Sequence, residues 1–171
     1  MGFKDSSIFK SAEELRIQAD ILNEELIITS GGFDPLHIGH LRCLQESAKI
    51  RDERKYFKGK RIRLVVIVNG DEFLINKKGK PFMKIEERME IIAGIDGVDY
   101  VVPWYDGTQT VTGALKILKP IMFTKGGDRD SSSNVPEFEL CEEIGCSVLF
   151  GVGGGKIQSS SWLLESSKNG S

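Results

Sequence analysis

Short apolar runs alternate with segments of helical periodicity along most of the chain. Compact runs rich in Val and Ile are typical of buried strands, and apolar residues that repeat every 3.6 positions are typical of the helices that cover them. The pattern predicts strands at Leu26–Thr29, Leu64–Val68, Tyr100–Val102, Ile121–Thr124 and Val148–Phe150. It predicts helices at about Gly39–Lys49, Lys84–Gly94, Thr110–Leu118, Val135–Ile144 and Ser159–Ser167.

The N-terminal segment begins with a helix signal. Ser11 is followed three residues later by Glu14, which is the spacing of a capping box, and apolar positions of helical period come next. We predict a packing helix within residues 1–25, ahead of a catalytic core that spans residues 26–167. A chain of 171 residues can bury one core and is too short for two ordinary domains. Residues 1–171 are therefore predicted to form a single domain.

The repeated order of strand and helix predicts an α/β fold. Leu64–Val68 is apolar throughout, as expected of a strand that helices cover on both faces. Right-handed crossovers between such strands give a doubly wound, Rossmann-like domain with a five-stranded parallel sheet. Ligands of this architecture bind beyond the carboxyl ends of the strands, so the loops that follow the strands should carry the chemistry.

Composition narrows the class of partner. The chain has 40% hydrophobic and 28% charged residues and a formal charge of −2 at pH 7, which gives no electrostatic reason to expect nucleic acid or an anionic membrane as main partner. No apolar run is close in length to a membrane span, which needs about 20 residues. Residues 1–6 lack the apolar stretch of a signal peptide. We expect a cytoplasmic protein that binds small molecules.

The three cysteines, Cys43, Cys141 and Cys146, are odd in number and lack the spacing of metal ligands. We interpret them as free thiols.

Two segments between predicted elements are unusually charged. Arg51–Arg63 lies between the first core helix and the second strand, and we interpret it as a solvated connection. Asn76–Lys80 carries three lysines around Gly79, and we interpret it as a loop on the ligand side of the sheet. Ammonium groups there could reach an anionic ligand, although surface solubility is the alternative explanation.

The strongest chemical signal is Ser30–His40, directly after the first core strand. Its glycines let the backbone approach a phosphate, and Gly39 opens a helix whose N-terminus presents unpaired N–H groups to an anion. Both histidines of the chain, His37 and His40, fall here, three residues apart, and can point into one pocket. Imidazole donors in such a position can stabilise charge on phosphate oxygens.

Two further segments follow later strands. Lys125–Asp128 combines two glycines with a carboxylate that could accept hydrogen bonds from a ribose or a base. Ser159–Ser161 opens the last predicted helix, where hydroxyls and free N–H groups can hold phosphates. A simple glycine turn and an ordinary serine N-cap are the respective alternatives.

These residues resemble the HxGH signature of the cytidylyltransferase-like nucleotidyltransferase superfamily. Asp71–Phe73 with the lysines that follow is similar to glycerol-phosphate cytidylyltransferases. Glu86–Met89, Gly97–Val102 and Lys125–Asp128 are more similar to heptose 1-phosphate adenylyltransferases, and Gly153–Leu164 resembles the serine-rich C-terminal element of the family. The resemblance extends from about Ser11 to Leu164.

The resemblance implies that a substrate phosphate attacks the α-phosphate of an NTP in line and releases pyrophosphate, with Mg²⁺ bound to the nucleotide and no metal ligand from the protein. It implies catalytic roles for His37, His40, Lys77 and Lys80. It implies nucleotide contacts for Gly31, Gly32, Phe33, Asp34, Gly39, Lys125, Gly127, Asp128, Ser159, Ser160 and Ser161. It implies substrate contacts for Asn69, Asp71 and Arg88. The partners so implied are ATP or CTP, a phosphorylated sugar or polyol, and further copies of the chain.

Alternatives remain open at the level of sequence. The leading acceptor is a sugar 1-phosphate of the heptose type with ATP, and the second is a polyol or amino-alcohol phosphate with CTP. A nucleotide-binding module without turnover is the alternative of another class. A nicotinamide dehydrogenase is disfavoured because no G-x-G-x-x-G follows the first strand.

Overall fold

The computed structural model describes residues 8–126, 136–154 and the backbone of residues 158–159. The helices assigned there are α1 (Ala12–Leu22), α2 (Ile38–Arg54), α3 (Asp71–Lys78), α4 (Ile85–Ala93), α5 (Thr112–Leu118) and α6 (Glu137–Ile144). The strands are β1 (Glu24–Gly31), β2 (Tyr56–Phe57), β3 (Lys60–Asn69), β4 (Tyr100–Trp104), β5 (Met122–Gly126), β6 (Ser147–Val152) and β7 (Gln158–Ser159).

Five of these strands form the predicted parallel sheet, in the order β4-β3-β1-β5-β6. The chain places β3 and β4 on one side of β1 and later adds β5 and β6 on the other side of β1. The strand order therefore reverses between β1 and β5. The Rossmann-like α/β prediction is confirmed. Two short antiparallel strands extend it, since β2 pairs with the start of β3 and β7 pairs with β6.

Helices cover both faces of the sheet. Alternate residues of β3 point to opposite sides: Val65 and Ile67 pack into a cluster with α1, α5 and α6, whereas Val66 and Val68 pack with α2 and α4. This burial on both sides explains the uninterrupted apolar run that the sequence shows in β3.

The N-terminal helix follows its sequence signal. The Ser11 hydroxyl accepts a hydrogen bond from the Glu14 N–H at 3.1 Å, and α1 then packs Leu15 and Ala19 into the core. Just before it, Phe9 bridges to Val101 and so pairs with the outer side of β4. The N-terminal segment therefore packs on the same sheet as the core. The predicted boundary of the core at residue 26 stays a prediction.

The structure corrects three local predictions. The lysine segment is not a loop throughout, because Lys77 and Lys78 end α3, a helix that buries only Leu74 and so has a weak periodic signal. The charged Arg51–Arg63 stretch is mostly exposed, as expected of a solvated connection, but it is not a loop throughout, because it contains the end of α2, the hairpin strand β2 and the start of β3. Ser159 lies in β7, so the last predicted helix does not start there.

None of the three cysteines forms a disulfide bond, as predicted, and all three are buried. In the part of the chain that the structure describes, no helix is both long and apolar enough to cross a membrane.

Candidate functional site

A cavity of about 640 Å³ opens at the carboxyl edge of the sheet, where the strand order reverses. The end of β1, the first turns of α2 and the ends of β3 and β5 surround it, and the N-terminal residues of α6 complete its wall. The cavity thus lies where a doubly wound fold is expected to bind its ligand.

The two histidines cap the helix that points at this cavity. His37 is the N-cap of α2, and its Nδ1 accepts from the Gly39 N–H at 3.1 Å. His40 Nδ1 accepts in return from the His37 N–H at 3.2 Å. The arrangement is a capping box built from two imidazoles, which are stacked with ring centroids 3.7 Å apart.

These hydrogen bonds decide which ring nitrogen carries the proton. Since each Nδ1 accepts a backbone N–H, each neutral ring must hold its proton on Nε2. Both histidines line the cavity. The HxGH motif therefore caps its own helix with one nitrogen of each ring and keeps the other as an N–H donor.

The glycine of the motif makes room for this stack. A Cβ on Gly39 would lie 2.9 Å from Cε1 of His37, closer than real Cβ contacts come. In the preceding loop, a Cβ on Gly32 would lie 2.9 Å from the Leu74 side chain of α3. A larger residue at either glycine would displace a neighbouring side chain, the His37 ring at Gly39 or the end of Leu74 at Gly32.

The charge of the described cavity wall favours an anion. Lys77 and Lys125 line it together with the two histidines and the N-terminus of α2, which is the positive end of the helix dipole. Glu137 is the single carboxylate among the described lining residues. It is buried, and its Oε1 accepts from the Val111 N–H at 3.1 Å.

Asp34 lies beside the cavity and holds two segments together. Its carboxylate accepts from the Phe82 and Met83 N–H groups, each at 2.6 Å, and pairs with Lys78 Nζ at 2.6 Å. Burial of the side chain works to raise the pKa of Asp34, but these three partners together lower it below its usual value. The carboxylate is therefore charged and committed to internal contacts.

Arg88 lies beneath the floor of the cavity and is fully buried. Its guanidinium donates to the carbonyl oxygens of Gly32, Asn69 and Met83 at 2.5–3.0 Å. It also pairs with Asp71 Oδ1 at 2.6 Å. A planar fork with several donors suits this task, because one side chain fixes the ends of β1 and β3 at once.

The predicted site residues divide into four groups. Those that line the cavity are Gly31, Gly32, Phe33, His37, Gly39, His40, Asn69, Lys77 and Lys125. Asp34, Asp71, Lys80 and Arg88 do not line it in this structure. For Ser159 only the backbone is described, in β7. Gly127, Asp128, Ser160 and Ser161 lie outside the described residues. The binding role of every residue in these groups stays a prediction.

Part of the wall lies outside the predicted site residues, although Ser30, Gly126, Gly153 and Gly154 fall in the predicted motifs. The additional lining residues are Thr29, Ser30, Cys43, Phe73, Gln109, Thr110, Val111, Gly126, Pro136, Glu137, Gly153 and Gly154. The glycine run that begins at Gly153 was a usable signal: a Cβ there would lie 2.5 Å from the Cys43 N, so only glycine lets the end of β6 approach α2. Glu137 gave no such signal, because its position depends on where α6 docks.

Several known proteins are similar to this chain in sequence or fold. The profile of the family described as cytidylyltransferase-like matches residues 28–149. Two proteins named bifunctional protein HldE are each 34% identical to the chain over 143 residues, and come from Hahella chejuensis and Desulfatibacillum aliphaticivorans. The matches cover 81% and 82% of this chain but only 27% and 26% of those proteins. The chain thus spans about a quarter of their length.

A solved structure is also similar to this chain in fold. The lipopolysaccharide core biosynthesis protein from Thermoplasma volcanium superimposes with a TM-score of 0.56 at 26% sequence identity. The superposition covers 74% of this chain and 93% of that one. The shared fold and the sequence matches agree on one family.

Proposed function

The chain belongs to the cytidylyltransferase-like family of nucleotidyltransferases, and on that premise we propose that it transfers AMP from ATP to a sugar 1-phosphate of the heptose type. The observation that carries the proposal is the pair of capping histidines, whose Nε2–H groups are fixed as donors in an anion-favouring cavity. Two stacked imidazoles beside the attacked phosphate would stabilise the charge that develops during transfer. A protein that only binds the nucleotide has less need of them.

The proposed reaction needs no covalent intermediate on the enzyme. An oxygen of the acceptor phosphate attacks the α-phosphorus of the NTP, and the bond between that phosphorus and the α,β-bridging oxygen breaks, so that pyrophosphate leaves. His37 and His40 donate to the oxygens of the α-phosphoryl group, where charge develops. Lys77 stabilises the departing pyrophosphate from α3, and Lys80 could join it if the turn after α3 moves toward the nucleotide.

Magnesium is proposed to enter with the nucleotide. Among the described lining residues, Glu137 has a carboxylate that could coordinate the ion. The described residues contain no group of three or more potential metal ligands. This composition fits Mg²⁺, which keeps most of its shell as water and phosphate oxygens. When bound, the ion would neutralise part of the phosphate charge.

Two facts support the acceptor assignment. The sequence resembles heptose 1-phosphate adenylyltransferases at Glu86–Met89 and Lys125–Asp128. The superimposed structure is that of a lipopolysaccharide core biosynthesis protein, and this is consistent with a sugar phosphate as substrate. We also propose that the enzyme is cytoplasmic and that it forms a homo-oligomer.

The test is pyrophosphate release by the purified protein with Mg²⁺. Each of ATP, CTP, GTP and UTP is paired with heptose 1-phosphate, other sugar 1-phosphates, glycerol 3-phosphate, amino-alcohol phosphates, phosphopantetheine and nicotinate mononucleotide. We expect release with ATP and heptose 1-phosphate.

Other outcomes would replace the proposal. Release with CTP and glycerol 3-phosphate would make the chain a cytidylyltransferase of polyol phosphates. Nucleotide binding without release from any pair would favour a non-catalytic nucleotide-binding module.

A further inference from the structure

The wall of the cavity next to α5 and α6 differs in chemistry from the wall next to α2. The α2 side carries two imidazole rings and the N-terminus of a helix. The other side is formed by the residues before α5 and at the start of α6, which are Gln109, Thr110, Val111, Pro136 and Glu137. The polar side chains among them are an amide, a hydroxyl and a carboxylate. Such groups suit a ligand with hydroxyls better than one with phosphates, because carboxylate and carbonyl oxygens need hydrogen-bond donors.

Glu137 presents one carboxylate oxygen to the cavity. The residue is only 5% exposed, and its Oε1 accepts from the Val111 N–H at 3.1 Å, whereas Oε2 accepts from none of the described residues. The described side-chain atoms that are both unpaired and sealed from solvent are Arg16 Nε, Asn69 Oδ1 and Trp104 Nε1. Oε2 of Glu137 is not one of them, so this oxygen is open to the cavity that the residue lines.

The position of this carboxylate is set by two packed helices. Val111 directly precedes α5, and its side chain is buried in the same core cluster as Leu140 and Cys141 of α6. The hydrogen bond to the Val111 N–H holds Oε1, which leaves Oε2 as the oxygen for a ligand. A largely buried carboxylate gains from a donor that replaces the water it has lost. Phosphate oxygens are acceptors and carry negative charge, so they cannot supply that donor.

We propose that Glu137 is a specificity-determining residue that binds the sugar of a substrate, with Oε2 accepting a hydrogen bond from a sugar hydroxyl. The inference rests on the proposed function and deepens it. Both substrates of that reaction carry such hydroxyls, on the ribose of the nucleotide and on the sugar of the acceptor. A substrate that lacks the hydroxyl would leave Oε2 without its donor, and the site would reject it for that reason. The assignment uses the oxygen that would otherwise be available to Mg²⁺.

The test has one arm for each source of the hydroxyl. The ribose arm measures equilibrium binding of ATP, 2′-deoxy-ATP and 3′-deoxy-ATP with Mg²⁺ by titration calorimetry, and it needs no turnover. The acceptor arm measures kcat and KM for heptose 1-phosphate and its deoxy analogues with ATP and Mg²⁺. In one arm, a deoxy compound should lose about tenfold to a hundredfold in affinity or in kcat/KM, as for a hydrogen bond to a charged group. The arm that shows this loss identifies the sugar.

Glu137→Gln tests whether the carboxylate is the partner of that hydroxyl. The Val111 N–H would hold the amide oxygen, so the amide nitrogen takes the place of Oε2 and only a neutral hydrogen bond remains. The deoxy penalty should therefore be about tenfold smaller in the variant, because the compound with the hydroxyl is weakened instead. Glu139→Gln makes the same change at an exposed position of α6 and should alter none of these constants.

Three outcomes would overturn the assignment. The absence of a deoxy penalty in both arms would do so with the wild type alone, so the test does not depend on whether Glu137→Gln folds. A penalty of unchanged size in Glu137→Gln would show that another group binds the hydroxyl. If the variant instead needs several times more Mg²⁺ for half-maximal ATP binding and keeps the penalty, Glu137 binds the ion. A wild type that releases no pyrophosphate from heptose 1-phosphate would overturn the proposed function, and the ribose arm alone would then decide the Glu137 contact.

Discussion

Each histidine of the first turn of α2 has two nitrogen atoms with separate tasks. Nδ1 stabilises the helix start by accepting a backbone N–H, and Nε2 carries the proton that can be donated to a phosphate. Because the tasks belong to different atoms, substitutions can remove one of them while the other is kept.

His40→Asn should keep the cap and lose catalysis. The asparagine Oδ1 reaches roughly the place of Nδ1, but no donor replaces Nε2–H. We expect kcat to fall about 10²- to 10³-fold, as for the loss of one donor to a developing oxyanion, with a melting temperature close to that of the wild type. Turnover and thermal unfolding measure the two effects. His40→Gln, whose amide nitrogen lies nearer to Nε2, should retain more activity. A His40→Asn enzyme with normal kcat would show that the Nε2–H is not used.

Gly39→Ala should separate activity from folding in the same way. The new Cβ would lie 2.9 Å from the His37 ring and displace it, although alanine is intrinsically better than glycine in a helix by up to about 1 kcal/mol. We expect kcat to fall while the unfolding free energy is unchanged or rises. Gly94→Ala is the matched control, because its Cβ would make an ordinary 3.4 Å contact. Full activity of Gly39→Ala would mean that the histidine stack is not needed.

At the scale of elements, two charged side chains join segments that are far apart in sequence. Arg88 of α4 ties together the loop after β1, the end of β3 and the start of α3. Asp34 ties the loop after β1 to the α3–α4 connection. The floor of the cavity is therefore set by a few buried charges as well as by the sheet.

Arg88→Met should destabilise the fold by about 3–5 kcal/mol, because it leaves three backbone carbonyl oxygens and the Asp71 carboxylate without their donor. Arg88→Lys should also be severe, since one ammonium cannot replace the guanidinium fork. Denaturant unfolding measures both. Arg54→Lys, at an exposed position of α2, should change the unfolding free energy by less than about 0.5 kcal/mol. A mild effect of Arg88→Lys would contradict the role of the fork.

Asp34 should make the stability of the fold depend on acid pH. Its pKa is lowered in the folded protein, so its contribution is complete above the ordinary value near 3.8 and is lost as pH falls through the folded pKa. Asp34→Asn should therefore lower the unfolding free energy at pH 7, on the order of 2 kcal/mol. Its difference from the wild type should shrink as pH falls below about 4. Unfolding curves from pH 7 to pH 3 measure this, with the exposed Asp20→Asn as control. A pH-independent difference would exclude the carboxylate charge as the cause.

At the scale of the whole molecule, the cavity lies between elements from both faces of the sheet, so a bound nucleotide should stabilise the entire fold. ATP or CTP with Mg²⁺ at 100 times its dissociation constant should add about 2.7 kcal/mol. For a chain of this size that corresponds to a rise in Tm of roughly 5–10 °C. Adenosine or cytidine at the same concentration should give a much smaller shift, because the described wall favours phosphates. Equal shifts from nucleoside and nucleotide would show that the lysines and histidines do not bind phosphate.

Much of the architecture was predictable because it depends on local patterns. The apolar run in β3 indicated a strand buried on both faces, and five strands alternating with helices indicated the parallel sheet. The helix α3 was missed although Asp71, Lys77 and Gly79 give ordinary start and end signals, because a helix that buries one leucine shows little periodicity. β2 was missed because it is two residues long.

The sequence by itself determined the strand–helix order, the position of the HxGH turn and the family resemblance, since each is written in neighbouring residues. Only the tertiary structure decided that Asp34 and Arg88 lie outside the cavity wall and that Asn69 and Glu137 lie within it. The physical reason is that a polar or charged side chain binds a ligand or stabilises the fold depending on which partners lie within reach. Those partners come from other elements of the structure. Arg88 meets carbonyl groups from three segments, whereas Asn69 Oδ1 meets none of the described donors.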